Sequence, residues 1–185
     1  MPADPISEAK RKLDSKDIDF LPIVEFLKGV MEKEVSFTHH LDSQTHILIG
    51  ISTALFFLSV AAFQEGKEEL SLMIIGIFSA LSTLAGLLAV HPPRFMRKYG
   101  QEESIMFSKN IAKYDSAQDY SKELLKVVTD HEKVIDQFGK ELYNLAKYYY
   151  RPKRVLFRIA RNLLFFGIAL GLFSFLVEIL TKSTF

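Results

Sequence analysis

Three stretches almost empty of charge constrain this chain more than any other feature: Ile47–Phe63, Leu70–Val90 and Leu163–Val177. A helix needs roughly 20 apolar residues, with a range of about 17–25, to cross a hydrocarbon core. The first two stretches meet that length as they stand. The third reaches it when extended from Arg161 to Leu180, with Arg161 free to snorkel and Glu178 near the opposite interface. A core helix of a soluble bundle keeps a polar stripe toward water. The second stretch, LSLMIIGIFSALSTLAGLLAV, has none: its polar residues are Ser71, Ser79, Ser82 and Thr83, all small. Overall composition, 49% apolar in 185 residues, is equally compatible with a soluble domain. It is the distribution that points to an all-α integral membrane protein with three transmembrane helices and a cytoplasmic helical bundle.

Orientation follows from Lys and Arg in the connecting segments. The link QEGKEEL holds one Lys against three Glu, the segment His91–Arg161 holds fifteen Lys and Arg, and six precede the first span. This bias places the N-terminus and the middle segment in the cytoplasm. The expected organisation is a flexible tail over 1–18, a cytoplasmic helix over 19–46 leading into the first span, transmembrane helices over 47–63 and 70–91, a cytoplasmic helical region over 92–157, and a third transmembrane helix over 158–180. Pro92 and Pro93 stop the second span, and Arg94, Arg97 and Lys98 follow at the lipid surface. Pro152 suits a first helical turn, from which Lys153, Arg154, Arg158 and Arg161 lead through the interface. The first apolar block starts too late, and behind too many charges, for a secretory signal.

In the middle segment Leu124, Val128, His131, Ile135, Phe138, Leu142, Leu145 and Tyr149 recur at steps of four and three, predicting one long helix over 118–150. A shorter helix is expected around Glu103–Lys113, and Leu21, Val24, Leu27, Met31 and Val35 mark another before the first span. No run alternates with the period of a strand. In the spans, Gly167-x-x-x-Gly171 with Ser174 is a small-residue packing face. Gly76, Ser79, Thr83 and Gly86 form a second, and Gly50, Thr53 and Ala54 a third. These faces serve either contacts within one chain or a homo-oligomer.

There is no cysteine, so disulfides and thiolate chemistry are excluded. His39, His40 and His46 lack the spacing of a zinc site, and no metal is expected. Phosphate-loop, dinucleotide and nucleophile-elbow motifs are absent, so an enzyme is not expected. The absence of mid-membrane charge argues against a transporter. A membrane-anchored scaffold whose 118–150 seam docks a partner helix, or a small channel subunit, remain alternatives.

The succession LDSQTHILIGISTALFF, a short outer link, a second span ending in HPPRF, the segment YSKELLKVVTDHEKVIDQFGKELYNLAKYY, and RPKRVLFRIARNLLFFGIALGLF resembles the transmembrane effectors of the Pycsar antiphage systems, the PycTM-like family. The likeness runs over about residues 40–180. The family's entry to the first span tends to read Asp-x-Lys-Ala, where this chain has Asp42, Ser43, Gln44 and Thr45. The resemblance implies a non-enzymatic effector in the bacterial inner membrane. It would be activated by cyclic CMP or cyclic UMP from a partner pyrimidine nucleotide cyclase, act on the lipid bilayer as a homo-oligomer, and have no nucleic-acid partner. A cyclic mononucleotide needs a cation or a helix N-terminus for its phosphate and an aromatic or amide for its base. Arg94, Arg97, Arg151, Arg154, Tyr148 and Tyr149 offer those groups near the membrane surface, with His131 and Gln137 as further candidates along the middle segment.

Overall fold

The computed structural model describes residues 20–65, 69–93, 95–96 and 104–182. Among the described residues six α-helices follow one another: α1 Leu21–Gln64, α2 Leu70–Val90, α3 Ser108–Ile111, α4 Ala117–Val128, α5 His131–Asn144 and α6 Arg151–Lys182. A π-helical stretch, Leu145–Tyr150, joins the last two. No strand occurs among the described residues. Three helical stretches are long and apolar enough to cross a membrane. The chain divides into two units, one made from residues up to Ser36 together with Tyr99–Tyr148, the other from Phe37–Lys98 and Tyr149–Phe185.

The second unit holds the three apolar stretches, and its packing inverts that of a soluble protein. Its buried positions are small or hydroxylated: Ser52 is 0% exposed, Ser79 and Ser82 1%, and Ala160 0%. Its large apolar side chains point away, with Phe165 at 71%, Phe57 at 63% and Leu84 at 59% exposed. In lipid, tails solvate such side chains as well as a protein interior does, so helices gain by bringing backbones close rather than by hiding bulk. On α1 the buried residues Thr38, Thr45, Ser52 and Ser59 fall at successive seven-residue steps, which keeps one stripe toward the neighbouring helices. On α6 the buried stripe runs Lys153, Leu156, Ala160, Leu164, Gly167, Gly171, at steps of three and four.

Glycines set how closely these helices approach. A methyl group at Gly167 would strike Phe78, and one at Gly171 would strike Ile75, both on α2. On the other side of α2, a methyl at Gly86 would lie 2.7 Å from Ile49, and one at Gly76 would lie 3.1 Å from Ser59. Ser79 is buried beside them, and Thr83 and Ser174 are half-buried. The first span is the exception to the expected faces. A methyl group at Gly50 would meet nothing within 4 Å and Ala54 is exposed, whereas the Thr53 hydroxyl lies 3.4 Å from that of Thr83 on α2.

In the first unit, the single helix expected over 118–150 is divided. Thr129 turns its hydroxyl back onto the Leu125 carbonyl, and Asp130 takes an extended backbone. The Asp130 carboxylate accepts from the backbone N–H of Glu132 and Lys133, starting α5 as an N-cap. Ser116 caps α4 by the same device, accepting from Asp119 N–H. The continuous apolar seam is thereby lost, and Val128 is 57% exposed. The helix expected around Glu103–Lys113 contracts to the single turn of α3 among the described residues. The turn before it is tied to α5 by a hydrogen bond from Ile105 N–H to the Gln137 side-chain carbonyl at 2.8 Å.

The helical path does not break at Pro152. Proline lacks the N–H that would bond the Tyr148 carbonyl, and its ring crowds that carbonyl in a regular α-turn. The π-helical widening over Leu145–Tyr150 immediately before it relieves both conflicts.

Candidate functional site: a hydroxyl-lined helix interface closed by a buried ion pair

Most hydroxyls between the three long helices are satisfied without water. Thr45, Ser52 and Ser59 each donate to the carbonyl four residues back on α1, at 2.7, 2.8 and 2.9 Å. Thr83 does the same on α2 at 3.0 Å. Such back-bonding hides a hydroxyl within its own helix and leaves a slim surface for the neighbour. Ser82 behaves differently: its hydroxyl donates across to the Ala160 carbonyl of α6 at 2.8 Å. The Ser52 hydroxyl of α1 lies 2.9 Å from it. With the Ser82 proton committed to Ala160, the single Ser52 proton is shared between the Leu48 carbonyl and the Ser82 oxygen. One buried node therefore joins all three helices. Ser79, one turn away, has no hydrogen-bond partner for its buried hydroxyl, and an orphaned polar group of this kind costs about 1–3 kcal/mol.

The polar interface ends in an ion pair. Lys153 is 3% exposed, and its ammonium donates to both Asp42 carboxylate oxygens, at 2.7 and 2.8 Å. The Tyr149 ring centroid lies 4.6 Å from the same nitrogen, a cation–π distance. The three ammonium protons thus have two carboxylate oxygens and one ring face to point toward. The pair fastens α6 to α1 just after the π-helical stretch. A buried pair contributes little net stability when intact, but removing one member strands the other charge. That property suits a latch.

The residues expected at a nucleotide site fall on different parts of the chain. Arg94 and Arg97 lie outside the described residues, as does Lys98. Tyr148 belongs to the first unit, where it meets the Tyr143 ring edge-on and the Lys147 ammonium. Tyr149, Arg151 and Arg154 belong to the second. Arg151 and Arg154 are exposed, while Lys153 between them turns inward. His131 stacks flat against Phe20, with centroids 3.9 Å apart and planes at 7°, so this imidazole face is occupied by the start of α1.

Sequence reasoning grouped Lys153 with its arginine neighbours, and read Asp42 as part of the entry to the first span and as a weak metal-ligand candidate with His39, never as the partner of Lys153. A signal was present: Lys153 is in phase with Leu156, Ala160, Leu164 and Gly167, and Arg151 and Arg154 are not. Asp42 adjoins the heptad stripe of α1. A lysine in phase with a packed stripe has to find a carboxylate.

A unit of three long helices with small hydroxylated residues inside and bulky apolar residues outside defines a helical membrane protein. The family model described as PycTM, Pycsar effector protein domain, matches residues 32–179. The chain belongs to this family of Pycsar antiphage effectors. Comparison with curated proteins and with solved structures finds no match.

Proposed function

We propose that the chain is a non-enzymatic effector that responds to a cyclic pyrimidine nucleotide, cyclic CMP or cyclic UMP, by impairing the bacterial inner membrane. Its N-terminus and residues 92–157 face the cytoplasm, where a partner pyrimidine nucleotide cyclase delivers the signal. The observation that carries this reading is the hydroxyl interface between the three helices, closed by the Lys153–Asp42 pair. An apolar interface that opens merely exchanges protein contacts for lipid contacts. A hydroxyl-lined interface that opens presents polar groups at membrane depth, where they demand water or another copy of the same face. Association of several opened chains into a homo-oligomer supplies both.

For a nucleotide to drive this change it must bind the open arrangement more tightly than the closed one. Two routes connect the first unit to the second through described backbone: α1, which runs through Ser36–Phe37, and the π-helical stretch, which runs through Tyr148–Tyr149. The test is dye release from liposomes carrying the purified chain. Release that begins on adding cyclic CMP or cyclic UMP supports the proposal. Release that ignores both nucleotides, or no release with either, contradicts it. The scaffold reading draws on Leu125 and Val128 of α4, which are 62% and 57% exposed. It predicts a chain that never releases dye.

A further inference from the structure

The first unit contains a cleft of about 360 Å³ lined by Ile105, Asn110, Lys113, Tyr114 and Gln137. It lies at the small end of the range for small-molecule pockets, about 300–1,000 Å³, which matches one nucleotide and not a dinucleotide.

Its lining is chemically specific. The Lys113 ammonium donates to the Asn110 side-chain oxygen at 2.7 Å, a neutral partner, and no carboxylate among the described residues lies within ion-pair distance of it. By contrast Lys122, Lys126, Lys133 and Lys140 each hold an Asp or Glu. Among the described residues the Lys113 charge is thus uncompensated, and it faces a space open to an anion. The Tyr114 ring is braced edge-on by Tyr120, with centroids 5.4 Å apart at 60°. Gln137 is held by its carbonyl, which accepts from Ile105 N–H. Its amide nitrogen makes one long contact of 3.3 Å, to Asp136, and keeps a second proton for an acceptor. Asn110 is anchored through its own amide to the Ser104 carbonyl at 3.0 Å. One cation, one aromatic platform and two anchored carboxamides thus surround a space the size of a mononucleotide.

We propose that this cleft is where a cyclic pyrimidine mononucleotide binds, with Lys113 on the phosphate, Tyr114 against the base and the Gln137 amide on the ring carbonyl that cytosine and uracil share. The inference rests on the nucleotide-responsive reading above and deepens it by placing the site. It moves the site away from Arg151 and Arg154. It also gives the ligand a mechanical effect, because the cleft lies where the 105–114 segment is fastened to α5.

The test is isothermal titration of the full chain in lipid nanodiscs with cyclic CMP and with cyclic UMP, with cytidine and orthophosphate as partial ligands. Lys113→Gln and Tyr114→Leu are expected to weaken binding about tenfold or more. Lys113→Arg keeps the charge and retains binding, as does the double variant Arg151→Gln/Arg154→Gln. Lys113 is exposed, so its substitution decides the matter even where Tyr114→Leu disturbs the local fold. Wild-type affinity in Lys113→Gln overturns the placement while leaving a nucleotide-responsive effector intact. Orthophosphate that binds as tightly as the nucleotides also overturns it, since the cleft is then a plain anion site. A wild-type chain that binds neither nucleotide defeats the underlying reading, and the placement with it.

Discussion

Lys153 is the residue on which the closed state depends most. Replacing it with Met leaves the Asp42 carboxylate without its cation, and Asp42→Leu strands the ammonium. Because the Asp42 side chain is 26% exposed, each single change is expected to lower stability by about 1–3 kcal/mol, below the 3–5 kcal/mol of a wholly buried pair. The double variant Lys153→Met/Asp42→Leu should lose less than the sum. A double-mutant cycle from thermal unfolding in detergent reads this coupling. Two serines one turn apart should respond differently. Ser82→Ala removes a bond between helices and costs about 0.5–1.5 kcal/mol. Ser79→Ala removes an orphaned hydroxyl and is neutral or stabilising. Equal losses at the two positions would contradict the hydrogen-bond assignment.

Glu141 adds a pH dependence at the same scale. Burial pushes its carboxyl above the usual range, partly offset by the Ser104 hydroxyl, and its second oxygen is buried without a partner. A raised carboxyl pKa makes the folded state bind its proton more tightly than the unfolded chain does. This contribution is complete below the ordinary value of 4.5 and disappears as pH rises through the folded value. The first unit is therefore expected to gain stability on mild acidification from neutral pH. Glu141→Gln should stabilise it at neutral pH and flatten that dependence, as followed by helix melting at several pH values.

The elements show where sequence was readable and where it was not. The three long apolar stretches announced themselves, because length and lack of charge follow directly from the thickness of a bilayer. The glycines at 76, 86, 167 and 171 were readable as packing positions, because close approach demands a missing side chain. Gly50 obeys the same residue rule, yet a methyl group there would meet nothing within 4 Å, since composition does not say which face of a helix meets a neighbour. The break at Thr129–Asp130 was hidden by an apolar rhythm that continues across it. The overlooked sign was an Asp able to cap the helix that follows. Asp130→Ala should fray the start of α5, reducing helicity in the first unit. Acid should act in the same direction: hydrogen bonds from the Lys133 side chain and backbone hold this carboxyl below its ordinary value. Its contribution is thus present above the ordinary value of 3.8 and fades as pH falls through the lowered one. Between α2 and α6, Gly167→Leu and Gly171→Val should drive the helices apart and produce dye release without nucleotide.

For the whole molecule, the family was legible from the order and spacing of its segments, while the partner of Lys153 and the lining of the cleft depend on which residues the fold brings together. The central claim is that the three helices part when a nucleotide binds. The Ser52 and Ser82 hydroxyls are 2.9 Å apart, so cysteines placed there face one another across the interface, and the chain has no cysteine of its own. The decisive measurement is nucleotide-triggered dye release from liposomes carrying the Ser52→Cys/Ser82→Cys chain, before and after oxidation. The reduced chain is expected to release dye on adding nucleotide, and the oxidised chain to stay tight until a reductant restores release. Equal release from the oxidised and reduced chains would show that the membrane fails without this interface opening.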